Sequence, residues 1–178
     1  MKKKLVVILT EDRYENPKAT DWYTNNVLKE DFLLGHELSK LGFLVKRVSW
    51  SSKSFNWSIV DFAVFRTTWD YFERLEEFLS WIKEHQNKIN FINPASQILW
   101  NLNKIYLQKL KLSGIPIVPS FFFKKNTKKT LHSVFQETSW NELIIKPAVS
   151  AAAWNTHRVS KNNLKKKESV FFKLKSTQ

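Results

Sequence analysis

The chain has 178 residues, 43% of them apolar and 25% charged, which is enough for one globular domain or two small ones and too apolar for disorder. Zero cysteines exclude a disulfide framework, a zinc knuckle, an iron–sulfur cluster or a thiol nucleophile, and three glycines leave no room for a G-x-G-x-x-G turn or a Walker loop. The net charge of +13 is lopsided: residues 1–100 hold 14 Lys+Arg against 13 Asp+Glu, whereas residues 101–178 hold 15 against 3, an asymmetry that points to an anionic partner.

LVVILT (Leu5 to Thr10) is a short β-branched run suited to a strand buried on both faces. Its apolar stretch is far shorter than the ~18 residues that cross a bilayer, and no small-residue cleavage site follows, so a cytoplasmic chain is expected. A helical pattern begins at about Asn25, with Val27, Leu34, Leu38 and Leu41 near one face, and Gly42 ends it. FLVKRVSW (Phe43 to Trp50) and DFAVFRT (Asp61 to Thr67) read as the next two strands. Tyr71 to His85 repeats a helical pattern before the short strand NFIN (Asn90 to Asn93) and Pro94. This β-α-β-β-α-β order implies an open, mainly parallel sheet covered by helices.

Such sheets bind ligands outside the carboxyl ends of their strands. RTTWDY (Arg66 to Tyr71) follows the third strand there, so Arg66, Thr68 and Asp70 are candidate substrate contacts. Asp70 has a second reading, as the N-cap of the following helix with Glu73 at N3 of a capping box.

The second half changes character near Pro94 to Asn101. A helix is expected from about Asn101 to Ser113, stopped by Gly114 and Pro116. After it come SFFF (Ser120 to Phe123), a helix from about Thr130 to Glu137, the strand ELIIKP (Glu142 to Pro147), a small-residue loop, a strand near Thr156 to Val159 and a helix from Asn162. That last helix carries Leu164, Val170, Phe171 and Leu174 with no further strand to cover them before the chain ends at LKSTQ.

Two lysines stand out. Lys104 falls in the first turn of its predicted helix, where the dipole disfavours a cation unless an anion is near. Lys146 lies inside LIIKPA, so its neighbours are expected to be buried while its ammonium reaches a cleft. Together they read as a pair of phosphate-binding cations; taken singly, each reads as a lysine that snorkels to solvent. In PAVSAAAWNT (Pro147 to Thr156) small side chains let backbone N–H groups approach phosphate, although alanine does this less freely than glycine. The loop also reads as a tight packing corner. Nucleic-acid binding by aromatic platforms is the weaker reading of the basic half, because Trp57, Trp69, Trp81 and Trp100 lie in the nearly neutral half.

The ordered set Asn93-Pro94, WNLNKIYLQKL (Trp100 to Leu110), GIPIVPS (Gly114 to Ser120) and LIIKPAVSAAAWNTHRV (Leu143 to Val159), with RTTWDY upstream, resembles the ATP-grasp ligase superfamily, in the branch that contains the cycloserine-biosynthesis cyclo-ligase. The resemblance implies an α/β chain: a Rossmann-like pre-ATP-grasp domain over residues 1–95 and the first, small, α+β ATP-grasp subdomain over residues 96–178, with the second subdomain missing. It implies ATP as cofactor, held by Lys104, Lys146 and a mobile phosphate loop that includes Ser150, Ala151, Ala152 and Thr156. Arg66, Thr68 and Asp70 would line the site of a small carboxylate or amino-acid-like substrate, and no protein nucleophile is needed.

The expected reaction joins a carboxylate to an amine through an acyl phosphate. Magnesium belongs to that chemistry, but the acidic and Asn residues that carry it in the family, and the adenine hinge strand, fall beyond Gln178. The chain is therefore expected to be an N-terminal portion, inactive alone and completed by a C-terminal chain or a homo-oligomer partner, or else a nonenzymatic nucleotide-binding remnant. A carboxylate-bearing subdomain across the nucleotide would balance the basic half. SAAAWNT departs from the family in lacking glycine, which would stiffen the loop and leave Trp154 in its way.

Overall fold

A computed structural model describes residues 2–18 and 21–177, with side chains as far as Leu174. The chain divides into two compact units, Met1–Leu99 and Trp100–Gln178.

In the first unit, β1 (Leu5–Thr10), β2 (Leu44–Ser49), β3 (Phe62–Thr67) and β4 (Asn90–Ile92) form one parallel sheet in the order β2-β1-β3-β4. All six residues of β1 are buried, as a central parallel strand covered on both faces requires. Register runs from Leu5 opposite Leu44 to Thr10 opposite Ser49 on one side, and from Val6 opposite Phe62 to Thr10 opposite Thr67 on the other. The carboxyl ends of β1, β2 and β3 therefore lie side by side.

The connections are the short α1 (Asp12–Glu15), the long α2 (Trp22–Lys40) and α3 (Leu75–His85). Helix α2 starts earlier than its apolar periodicity suggests because the Asp21 carboxylate accepts the Thr24 N–H at 2.7 Å. It stops at Gly42, whose φ of 90° lets the Phe43 N–H reach Leu38 O at 3.2 Å and its own N–H reach Ser39 O at 3.0 Å. The helix expected from Tyr71 is split: Trp69–Phe72 is a 3-10 turn and α3 opens at Leu75 without a side-chain cap. Asp70 makes no capping box, since its carboxylate is engaged elsewhere. Trp50, Phe78, Ile82 and Phe91 pack around the sheet.

The second unit is built on an antiparallel pair, β5 (Glu142–Ile145) and β6 (His157–Ser160). Leu143, Ile145 and Val159 face Leu131 and Phe135 of α6 (Leu131–Thr138) and Phe171 of α7 (Leu164–Thr177) in one apolar cluster. Leu164, Val170 and Leu174 pack against the same cluster, so the last helix's apolar face is covered, contrary to expectation, by a sheet already formed upstream. The other sheet face carries Ile144 opposite Arg158, with Arg158 paired to Glu142 at 2.5 Å.

The single helix expected over residues 101–113 is two: α4 (Ala95–Leu102) and α5 (Tyr106–Leu112), broken at 103–105. The Asn103 carboxamide accepts the Ile105 N–H at 3.0 Å, and the Lys104 N–H donates to Ala148 O at 2.9 Å instead of to its own helix. Helix α5 ends as predicted at Gly114, φ 80°, with the Ile115 N–H bonded to Leu110 O at 3.0 Å. No helix of the described residues is long and apolar enough to cross a membrane.

Candidate functional site

Each unit carries one candidate site. In the second, the break between α4 and α5 moves Lys104 out of the helical turn predicted for it and pins its backbone to the loop after β5. Its ammonium donates to Ser150 O at 2.7 Å and to Ser150 Oγ at 3.1 Å. Burial, and next the ammonium of Lys146, push the Lys104 pKa below its ordinary value. Two cations thus converge on one loop; among the described residues neither forms an ion pair.

Lys146 stands one residue past β5, exposed between the buried Ile145 and Pro147, as its sequence neighbours predict. Ser150 is buried, and its hydroxyl also donates to Pro147 O at 3.3 Å.

The loop then turns twice. Ala152 (φ 47°) and Ala153 (φ 57°) are left-handed, and the Trp154 N–H closes on Ala151 O at 2.9 Å, a type I′ arrangement that usually calls for glycine or asparagine. Asn155 (φ 49°) follows, with the Thr156 N–H bonded to Ala153 O at 3.0 Å. Among the six residues predicted to hold nucleotide, the fold joins Lys104 to Ser150 and brings Lys146 near enough to act on Lys104 electrostatically, while Ala151, Ala152 and Thr156 form the turns. Trp154 is 41% exposed.

In the first unit, Arg66 lines a cleft of about 250 Å³ with Val27, Glu30, Asp31, Thr67 and Trp69. Its guanidinium donates to Glu30 at 2.7 Å and to Asp31 at 3.5 Å. Asp31, buried on α2, also receives Arg47 Nε at 2.6 Å, and Arg47 reaches the Thr10 hydroxyl, which donates to Thr67 Oγ1 at 3.0 Å. Tyr14 and Tyr23 pack against Trp69.

Thr68 and Asp70 are buried and do not line this cleft. Asp70 accepts the Trp50 indole N–H at 2.8 Å and Arg74 Nη1 at 3.1 Å. Arg74 lies over the Trp50 ring, 4.6 Å from its centre, and reaches Asp12 and Glu77 as well. The Ser49 hydroxyl, foremost, and then Ser51 and Arg74 hold Asp12 below the usual carboxylate range.

Sequence reasoning passed over Glu11, Asp31 and Arg47. Glu11 follows the first strand directly, so the rule applied to RTTWDY would have flagged it. It is buried, ion-paired to Arg13 at 2.5 Å with Oε2 unpartnered, and burial raises its pKa. The Asp31–Arg47 pair joins two elements through the fold and has no local signal. Among the described residues no group of three or more His, Asp or Glu could hold a metal ion.

Residues 6–93 match the family model described as the N-terminal domain of D-cycloserine synthetase DcsG. The cycloserine biosynthesis protein DcsG of Streptomyces lavendulae is 30% identical over 80 residues, which are 45% of this chain and 27% of that protein. A crystal structure of D-cycloserine synthetase DcsG matches with a TM-score of 0.83 at 18% identity, over 97% of this chain and 56% of that one. The chain thus spans about half the length of the solved structure it matches and shares its mixed α/β fold. In its N-terminal portion it is similar in sequence to the cycloserine-biosynthesis ligase.

Proposed function

We propose that this chain is the N-terminal portion of an ATP-dependent carboxylate–amine ligase, and that its second unit, an ATP-grasp subdomain, holds the polyphosphate of ATP. The observation that carries this reading is the convergence of Lys104 and Lys146 on the Ser150 loop. Two like charges close enough for one to lower the pKa of the other destabilise each other unless an anion joins them. A triphosphate supplies that anion: Lys104 would exchange its Ser150 contacts for phosphate oxygens, Lys146 would approach from the rim, and the turning backbone beyond Ser150 would offer N–H groups.

In the reaction of such ligases a carboxylate takes the γ-phosphoryl group of ATP, releasing ADP, and an amine then displaces phosphate. The part assigned to this chain is positioning and charge neutralisation. Arg66, at the carboxyl edge of the parallel sheet, would receive the substrate carboxylate by releasing Glu30. Asp70 would act behind it, holding Trp50 and Arg74 in place rather than touching substrate. Magnesium would require ligands other than those described here, so these 178 residues are expected to bind nucleotide without completing ligation.

Calorimetric titration of ATP into the intact chain tests the reading. Saturable binding is expected, lost in Lys104→Ala and weakened at least tenfold in Lys146→Ala, with nitrogen-15 spectra showing the Lys104 pKa rise when ATP binds and also when Lys146 is removed. Absence of ATP binding, or binding indifferent to both lysines, refutes it.

A further inference from the structure

Helix α2 presents two unlike faces. On the inner one Val27 and Asp31 are buried, and a Cβ added at Gly35 would stand 3.4 Å from Val45 and 3.6 Å from Ile8 of the sheet. On the outer one Trp22, Asn26, Lys29, Leu33, His36 and Lys40 are all exposed. Their spacing alternates between four and three residues, which aligns them in one seam along the helix, the pattern by which one helix packs on another.

Large apolar side chains stand in water on this outer side. Trp22 is 79% exposed, Phe32 68% and Leu33 51%, and Leu41, just past the helix, is 75% exposed. Phe32 lies flat against the His36 ring, 6.0 Å between centres. Isolated surface apolars need no explanation, but a set ranged along one helix face marks an interaction surface. Among the described residues Glu37 pairs with Lys40 at 2.8 Å, and Lys29 forms no ion pair.

We propose that this face is the interface of a homodimer, in which α2 packs antiparallel against α2 of a second copy about a two-fold axis through Leu33. Lys29 lies four residues before Leu33 and Glu37 four after, so the axis sets Lys29 of each copy beside the partner's Glu37. Asn26 and Lys40, seven residues to either side, meet in the same way, and Trp22 comes to the end of the partner helix that carries Leu41. A parallel pairing would put Lys29 on Lys29 and Lys40 on Lys40, so charge selects the antiparallel one. An anionic membrane would accept the rings and lysines but oppose Glu37, which the Lys29 of a second copy satisfies.

The area is sufficient. At about 150–250 Å² for each aromatic side chain, Trp22 and Phe32 expose roughly 300 Å² per copy. Two copies then bring roughly 600 Å² in rings alone, half of the about 1,200 Å² at which specific interfaces begin. The leucines and the alkyl stems of Lys29 and Lys40 supply the remainder.

Sedimentation equilibrium of the intact chain tests this. A reversible monomer–dimer equilibrium in the micromolar range is expected, and Leu33→Asp should leave monomer alone. Lys29→Glu turns both cross-pairs into carboxylate against carboxylate and should weaken the dimer at least about tenfold. Lys29→Glu combined with Glu37→Lys reverses both partners and should return the affinity to within about threefold of the original. All three positions are exposed, so circular dichroism should show the fold unchanged in each variant. A chain that stays monomeric at about 100 μM, a Leu33→Asp variant that dimerises as before, or a swapped pair no better than Lys29→Glu alone would each overturn the proposal. Binding of phosphatidylserine vesicles that Leu33→Asp abolishes would assign the face to a membrane and overturn it too. Loss of ATP binding at the lysine pair would leave this result untouched.

Discussion

Replacing Ala152 or Ala153 by glycine should stabilise the chain, which reverses the usual effect of adding glycine. Both alanines hold left-handed dihedrals, φ 47° and 57°, in the turn closed by the Trp154 N–H on Ala151 O. An L-residue pays roughly 1–2 kcal/mol for that conformation, because Cβ crowds the following carbonyl. Glycine removes the clash but loses about 0.5–1 kcal/mol through the greater freedom of the unfolded chain. The difference is a gain of about 0.5–1 kcal/mol for each single change, a rise of roughly 2–8 °C in melting temperature for a unit of this size.

Ala151→Gly is the control of opposite sign. Ala151 is not among the left-handed residues, so only the entropic loss remains and that variant should melt lower. Urea denaturation with unchanged slope, monitored by circular dichroism, reads all three. If glycine at 152 and 153 destabilises as it does at 151, the left-handed turn is absent and the strain argument fails. The double variant should fall short of additivity, since adjacent residues share one turn.

Removing the Asp70 carboxylate by Asp70→Ala should cost about 1–3 kcal/mol in urea denaturation, because the buried Trp50 indole N–H loses its acceptor and Arg74 loses a partner. Asp70→Asn, which keeps an acceptor oxygen, should recover part of that loss; an unchanged midpoint in Asp70→Ala would contradict the arrangement. Burial raises the Glu11 pKa above the ordinary 4.5, with Asp70 adding to the rise and Arg13 opposing it. The folded state therefore binds the Glu11 proton more tightly than the unfolded state, so this group's contribution to stability is greatest in acid and declines as pH climbs above 4.5 through the folded value. Glu11→Gln should flatten that decline in a pH series of unfolding midpoints, and an unaltered slope would show that Glu11 is not buried as a charge.

Much of the first unit could be read along the chain because its signals are local. A β-branched run buried on both faces announces β1, and the Gly42 and Gly114 stops follow from the left-handed conformation that lets a helix close its last carbonyls. Lys146 stood out as a cation between apolar neighbours, whereas Lys104 stood out for a helical turn that the break at 103–105 removes. The second reading of Asp70, as a cap, fails because a carboxylate before a helix looks the same whether it meets a backbone N–H or an indole folded in from residue 50. The helix break at Asn103 was invisible for the same reason: the carbonyl that draws the Lys104 N–H away belongs to Ala148. Hydrophobic period and turn chemistry depend on a few neighbouring residues and so survive in a bare string of letters. Partner choice among polar groups depends on which distant segments share a small buried volume, and that is set when the chain packs.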